Sequence, residues 1–183
     1  FFADALLRYQ QADDPEMTGR VELALGRLAW DDDDLDVARG WFESAKQRFE
    51  GCGDEVGLAH SLHFEGLVAF KAGDFAQAEA CLRDALTRWQ ALGLRWELSQ
   101  CIPGHLADVA RSAGNLSDAM RLYQECLALN WEQHYLEDVS WSLAGMALVT
   151  ATDGHVDQAV RLMCLAERFE EILGATLSPH IRR

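Results

Sequence analysis

A repeat of about 40 residues is the feature of this sequence that most restricts its fold. Turn signals stand at nearly equal spacing, at Asp34, Gly73-Asp74, Gly114-Asn115 and Gly154-His155. The anchors Asp34, Asp74, Asn115 and His155 follow one another at steps of 40, 41 and 40 in the numbering. A fixed period of this length is typical of chains that stack one supersecondary unit many times.

Small residues recur at three places in every repeat, with a bulky residue between two of them. Relative to each turn anchor they lie eight before, four after and eleven after. The small residues are Gly26, Gly66, Ala107 and Ala147, then Ala38, Ala78, Ala119 and Ala159, then Ala45, Ala85, Cys126 and Ala166; the bulky ones are Phe42, Leu82, Tyr123 and Met163. Only a small side chain lets two helix backbones cross closely while a bulky neighbour fills the adjoining gap. The pattern therefore predicts a helix, a turn and a second, antiparallel helix in each repeat.

The predicted fold class is all-α, a right-handed superhelical solenoid of antiparallel helix pairs with about nine helices. Apolar residues follow helical spacing between the turns, as in Leu82, Ala85, Leu86 and Trp89. The predicted helices lie near 1–11, 16–30, 35–51, 55–72, 75–92, 96–112, 116–130, 135–151 and 156–173. Asp74 and Asn115 each follow a glycine and precede a helical run, so we expect them to be N-cap residues.

One domain over residues 1–183 is the simplest organisation, because no linker-like stretch interrupts the sequence. The predicted subdivision is a truncated preceding repeat at 1–15, complete repeats at 16–54, 55–95, 96–134 and 135–174, and a tail at 175–183. A first helix that opens with Phe1 and Phe2 makes a poor terminal cap, so we expect the chain to be a piece of a longer protein. Phe1, Phe2, Leu6 and Leu7 could then pair with a second copy, giving a homodimer through the truncated helix.

The spacing of Gly66, Ala78, Leu82 and Ala85 resembles the tetratricopeptide repeat. This likeness covers nearly the whole chain, although the period is longer than the common one of about 34 residues and the usual proline is missing. Gly53-Asp54 followed by Gly57-Leu58-Ala59 resembles the repeats of large bacterial signalling ATPases and LuxR-type transcriptional regulators. The stretches at 143–147, 154–162, 166–167 and 174–179 are similar to the end of such arrays.

The resemblance implies a non-catalytic protein- or ligand-binding domain, the sensor or scaffold part of a larger cytoplasmic bacterial regulator. No Gly-x-x-x-x-Gly-Lys-[Ser/Thr] motif occurs, so any ATPase of the parent protein would lie elsewhere. A stand-alone scaffold for assembling protein complexes is the alternative, and an enzyme that uses a histidine cluster is a third hypothesis. A phosphate-binding loop upstream of Phe1 would favour the regulator.

Charge and hydropathy limit the partners. The formal net charge of −14 disfavours direct binding to nucleic acid, whose phosphates an acidic surface repels. No run of 18 apolar residues and no signal peptide occurs, which predicts a cytoplasmic protein that does not engage a membrane. Five cysteines without a Cys-x-x-Cys pair favour reduced, mostly buried thiols.

The first helix of each pair should line the concave side of the solenoid, where a ligand would bind. One stripe of these helices contains the predicted binding residues: Arg20, Arg27, Trp30, His60, His63, Phe64, Lys71, His105, Asp108, Arg111 and Trp141. Four fixed cations beside aromatic rings suit a protein or peptide, or a small acidic or phosphorylated ligand, with Trp30 and Trp141 as apolar anchors. The competing interpretation is solvated arginines and core tryptophans. Pro103 could in addition kink the first helix of the third repeat.

No catalytic residue, metal or cofactor is predicted. His60, His63 and His105 could hold zinc or nickel, but no fourth ligand is evident. The acidic run from Asp31 to Asp34 lacks the alternation of a calcium loop and is more typical of a solvated helix start. Cysteine chemistry has no support either, because the candidate thiols fall at helix positions where a small residue is expected to pack, away from any nucleophile turn; they are Cys81, Cys126 and Cys164.

Overall fold

Helices make up the fold, and no strand occurs in the part of the chain that the computed structural model describes, residues 2–93 and 102–173. The nine described helices are α1 (Phe2–Gln11), α2 (Pro15–Asp31), α3 (Leu35–Cys52), α4 (Glu55–Lys71), α5 (Phe75–Leu92), α6 (Ile102–Ser112), α7 (Leu116–Glu132), α8 (Leu136–Thr152) and α9 (Val156–Leu173). They belong to two compact units, residues 1–94 with α1 to α5 and residues 95–183 with α6 to α9. None of the described helices combines the length and the apolar character needed to span a membrane.

The helix pairs follow the repeat. In the first unit α2 packs on α3 and α4 on α5; in the second α6 packs on α7 and α8 on α9. The predicted helix ends agree closely with the observed ones, which confirms the all-helical assignment. The predicted helical residues 96–101 lie outside the described residues, so the kink expected at Pro103 is not tested there.

Aspartate side chains begin four of the helices. Carboxylate oxygens of Asp14, Asp34, Asp54 and Asp74 accept hydrogen bonds from the backbone N–H three residues on, at 3.0, 3.2, 3.0 and 3.0 Å. Each bond satisfies an amide that the first helical turn leaves without a backbone partner. The prediction is thus confirmed for Asp74, whereas Asn115 stands at the N-cap of α7 without a side-chain capping bond. Asp34 also shows that the acidic run is a helix start.

Close helix crossings in the first unit depend on missing side chains. A Cβ built on Gly26 would stand 2.4 Å from Phe42 Cε1, and one on Gly66 would stand 2.8 Å from Leu82 Cγ. Phe42 and Leu82 are fully buried, so each bulky side chain fills the space beside a glycine. The predicted pairing of small and bulky positions is therefore confirmed here.

In the second unit, buried Ala107 and Ala147 are the small residues at the repeat positions where the helices cross. Two glycines outside these positions allow still closer contacts. Cβ atoms on Gly104 and Gly145 would collide with the rings of Trp141 and Tyr123, at 1.7 and 2.3 Å. The aromatic rings therefore lie directly against the glycine backbones.

A buried ion pair joins α2 to α3. Glu22 is only 2% exposed, and both of its carboxylate oxygens lie 2.8 Å from Nε of Arg48. Burying a carboxylate without a partner is costly, so Arg48 compensates the charge while its other end reaches solvent. The repeat pattern does not predict this pair, because Glu22 occupies a core position of an otherwise amphipathic helix.

We expect Gly26→Ala and Gly40→Ala to change stability in opposite directions. The added methyl group at Gly26 collides with buried Phe42, and overpacking costs about 1–3 kcal/mol, more than the gain of about 1 kcal/mol in helix propensity. Gly40 is exposed within α3 and has no atom within 4 Å of the added Cβ, so only the gain applies. Urea denaturation measures both variants. A Gly26→Ala protein as stable as wild type would contradict the close crossing.

Arg48→Met should destabilise the protein by about 2 kcal/mol, because Glu22 is then buried without its cation. The value is below that of a fully buried pair because Arg48 is 35% exposed. The double variant Glu22→Met/Arg48→Met removes both charges and should recover at least half of the loss. Thermal unfolding of the three proteins checks this expectation. A double variant less stable than Arg48→Met would contradict the view that the unpaired carboxylate of Glu22 causes the loss.

Candidate functional site

In the first unit, Trp30 of α2 and Lys71 of α4 form one end of the predicted stripe. Lys71 Nζ lies 4.1 Å from the centroid of the Trp30 ring, a cation–π arrangement, and 2.7 Å from a carboxylate oxygen of Asp33. Trp30 is half-buried and packs against the cluster of Ala29, Phe42 and Val68. Its indole is therefore both an anchor for α2 and a partly exposed surface beside a cation.

Arg27 and Phe64 form a second cation–aromatic contact on the same two helices. The Arg27 guanidinium lies 5.5 Å from the centroid of Phe64, and Phe64 stacks on buried Phe42 at 5.0 Å. Arg27 is exposed and, within the described residues, forms no ion pair. This combination leaves all the donors of a guanidinium available to a ligand while the ring below fixes its position.

Carboxylates accompany three of the four cations predicted to make the stripe positive. Arg20 lies 2.8 Å from Glu16 and 3.5 Å from Asp54, and Lys71 is bound to Asp33. In the second unit Arg111 lies 3.4 Å from Asp108. The positive character expected of this stripe therefore rests mainly on Arg27.

The two histidines of α4 pack against Trp89 of α5. The His60 and His63 rings lie 5.2 and 5.5 Å from the Trp89 ring, and His63 also contacts Phe64 at 5.2 Å. His63 is 5% exposed, so it is a core contact of the first unit and offers little surface to a ligand. In the described part of the chain, no group of three His, Cys, Asp or Glu residues could hold a metal ion.

In the second unit, Trp141 of α8 contacts residues of both α6 and α7. Its ring lies 5.7 Å from the His105 ring and 6.4 Å from the Tyr123 ring, both edge-on. The Tyr123 hydroxyl donates to Asp108 at 2.5 Å. Burial, the nearby Asp108 charge and this hydrogen bond raise the pKa of Tyr123 well above its ordinary value. The phenol therefore stays protonated and fixes Asp108, which also accepts from Arg111.

The buried thiols of Cys81 and Cys126 are not activated as nucleophiles. Burial raises the pKa of Cys126 to about 11, and burial with the charge of Glu65 raises the pKa of Cys81. Both thiols are buried as expected, whereas Cys52 and Cys164 are exposed, so the prediction was wrong for Cys164. Cys164 faces away from the core, while Cys126 takes the small-residue position itself.

An apolar recess in the second unit was missed at the sequence level. Its volume is about 390 Å³, and its lining residues come from α7, α8 and α9: Gln124, Leu127, Ala128, Trp131, Val139, Leu143, Leu165 and Phe169. Charged residues occupy several of the equivalent positions in the first unit, whereas apolar residues occupy them here. This difference could have indicated the recess from the sequence. Most of its walls belong to the second helices of the pairs, away from the stripe considered first.

Solved structures with the same fold were found by comparison of coordinates. BtubC (BKLC) from P. vanneervenii is 19% identical, with a TM-score of 0.85 over 97% of this chain and 73% of that one. Aspartyl phosphate phosphatase F from Bacillus subtilis is 10% identical, with a TM-score of 0.83 over 94% of this chain and 45% of that one. The TPR-like repeats of a putative kinesin light chain from Podospora anserina are 14% identical, with a TM-score of 0.69 over 94% of both chains. At these identities the likeness concerns the fold alone.

Comparison with curated proteins by sequence finds no match. The tetratricopeptide-repeat family matches residues 17–91 and again residues 104–138, which together make up more than half of the chain. These stretches span α2 to α5 in the first unit, and α6 and α7 in the second. Such repeats are in general non-catalytic modules for protein–protein interaction. The chain therefore belongs to the tetratricopeptide-repeat proteins.

Proposed function

We propose that the chain binds a protein segment of acidic character through the face that α2 and α4 share in the first unit. The observation that carries the proposal is the pair of cation–aromatic contacts on this face, Arg27 over Phe64 and Lys71 over Trp30. Rings support both cations, and the guanidinium of Arg27 points its hydrogen-bond donors at no carboxylate within the described residues. A carboxylate or phosphate of a peptide can bind such a guanidinium in a bidentate manner.

Packing of the rings supports a preformed site. Phe64 stacks on Phe42, and Trp30 packs on the cluster that contains Phe42 and Val68, so both aromatic platforms are fixed by buried neighbours. Binding then requires little reorganisation of the protein, because the receiving side chains are already ordered. The second unit supports the proposal less strongly, since the carboxylate of Asp108 lies beside Arg111 and accepts a hydrogen bond from it.

We further propose that the chain is the sensing or scaffolding part of a larger bacterial regulator, in which peptide binding biases a neighbouring module. This rests on the resemblance of the Gly-Asp repeats to those of signalling ATPases and LuxR-type regulators. A stand-alone scaffold is the alternative. The coding sequence upstream of residue 1 separates the two, because a phosphate-binding loop supports the regulator and a run of further repeats without one supports the scaffold.

We expect a fluorescein-labelled peptide of alternating Glu and Leu to bind the protein, and Arg27→Glu to weaken binding about tenfold. One charge-assisted contact on an aromatic platform is worth about 1–2 kcal/mol, which corresponds to a factor of ten. Arg39→Glu is the matched control, because it makes the same charge change at an exposed position of α3, a helix that does not form the α2–α4 face. Fluorescence anisotropy measures the dissociation constants, and binding to wild type should weaken with added salt.

A second peptide, in which Gln replaces every Glu, tests whether charge is recognised. It should bind at least tenfold more weakly to wild type and equally to wild type and Arg27→Glu. Equal losses in the Arg27→Glu and Arg39→Glu variants would show a general effect of net charge. That result, or unchanged binding in Arg27→Glu, would exclude the α2–α4 face as the site.

A further inference from the structure

The residues that line the apolar recess of the second unit have counterparts in the first, because equivalent positions recur two repeats apart, as Ala38 and Ala119 do. The floor positions are apolar in both units: Val139 and Leu143 in the second correspond to buried Leu58 and Leu62 in the first. The walls differ. Leu127, Trp131, Leu165 and Phe169 stand where the first unit has Lys46, Glu50, Asp84 and Arg88.

The charged walls of the first unit form ion pairs. Lys46 Nζ lies 2.7 Å from Glu65, while Arg88 lies 2.6 Å from Glu55 and 3.0 Å from Asp84. The same helix packing is thus compatible with charged residues at these positions. Leu127 and Phe169 pack against the core of the second unit, whereas exposed Trp131 and Leu165 need another explanation.

The apolar walls are open to solvent. Trp131 is 58% and Leu165 48% exposed, and the Trp131 ring meets the Phe169 ring edge-on at 6.2 Å across the gap between α7 and α9. A cleft of about 390 Å³ between two helices has room for several apolar side chains. Exposed aromatic and aliphatic residues that line one cleft are typical of an interaction surface.

The two rims of the cleft differ in the charged residues nearest the apolar walls. On the α7 side, Glu132 is exposed beside Trp131, and Arg121 is bound to both Asp118 and Glu125, which leaves that rim negative. On the α9 side, exposed Arg161 lies one turn before Leu165 and exposed Arg168 one turn after it. Neither arginine forms an ion pair within the residues that the structure describes.

We propose that this cleft binds one amphipathic helix of a partner protein. Apolar side chains of that helix, spaced i, i+3 or i+4, and i+7, enter between Trp131 and Leu165. Basic residues on one of its flanks face the α7 rim, and acidic residues on the other face the α9 rim. This surface is separate from the α2–α4 face, so the acidic-peptide proposal and the helix proposal stand or fall independently.

Three synthetic 18-residue peptides, hydrocarbon-stapled on the solvent side and labelled with fluorescein, test the proposal by anisotropy with the whole 183-residue chain. All carry leucine on one face. Their flanks carry Lys on one side and Glu on the other, Lys on both, or Glu on both. A helix can bind in either direction, so the mixed peptide can place its Lys flank at the α7 rim and its Glu flank at the α9 rim. Each of the other two peptides matches one rim only. In the Arg27→Glu background, in which the α2–α4 face no longer attracts the acidic peptide, we expect the mixed peptide to bind at least tenfold more tightly than either of the other two.

Trp131→Glu/Leu165→Asp places in the cleft the residue types that the chain itself has at Glu50 and Asp84, and it should weaken the mixed peptide at least tenfold. The matched control in the first unit, Glu50→Gln/Asp84→Asn, should remain within twofold of wild type. Circular dichroism monitors the fold. If the double variant loses helix, Glu132→Lys at an exposed position replaces it, and should weaken the mixed peptide and strengthen the all-Glu one.

Three results would overturn the helix proposal. The first is the absence of saturable binding by the mixed peptide. The second is equal binding to wild type and to the variants in the cleft. The third is a dimer of the wild-type chain in sedimentation velocity that Trp131→Glu/Leu165→Asp abolishes, because the occupant would then be a second copy of this chain.

Discussion

The close crossing of paired helices is the constraint on which the rest of the structure depends. Gly26 and Gly66 let α2 and α4 approach the second helix of their own pair, and Phe42 and Leu82 fill the space that the missing side chains leave. The fixed crossing sets which residues of α2 and α4 face solvent. Phe64 stacks on Phe42 for the same reason, so the platform of the proposed peptide site is an extension of the helix crossing.

Polar interactions adjust this arrangement without creating it. Glu22 and Arg48 join α2 to α3 in the core, and aspartates at the N-caps begin the helices at defined residues. In the second unit Tyr123, Asp108 and Arg111 form a comparable network beside Trp141. These groups fix side-chain positions at the ends and edges of helices whose packing is apolar.

The two units show how one repeat serves different surfaces. At equivalent positions, Lys46, Asp84 and Arg88 make ion pairs in the first unit, whereas Leu127, Leu165 and Phe169 line an apolar cleft in the second. The buried positions keep small and apolar residues in both units because the crossing requires them. The outer positions of the second helices carry no such requirement, so selection for binding can act on them.

The sequence by itself determined the helix pairs, their ends and the small-residue crossings, because these depend on local spacing that recurs in every repeat. Only the tertiary structure decided which side chains reach one another. Arg27 and Phe64 share a contact as the stripe suggested, but Asp33 neutralises Lys71, and His63 packs in the core. The cleft at Trp131 is lined by residues from different helices. The Glu22–Arg48 pair likewise connects two helices. Helical periodicity predicts on which face of a helix a residue lies. Which side chains of two helices contact each other depends on side-chain length and on the geometry of the helix crossing.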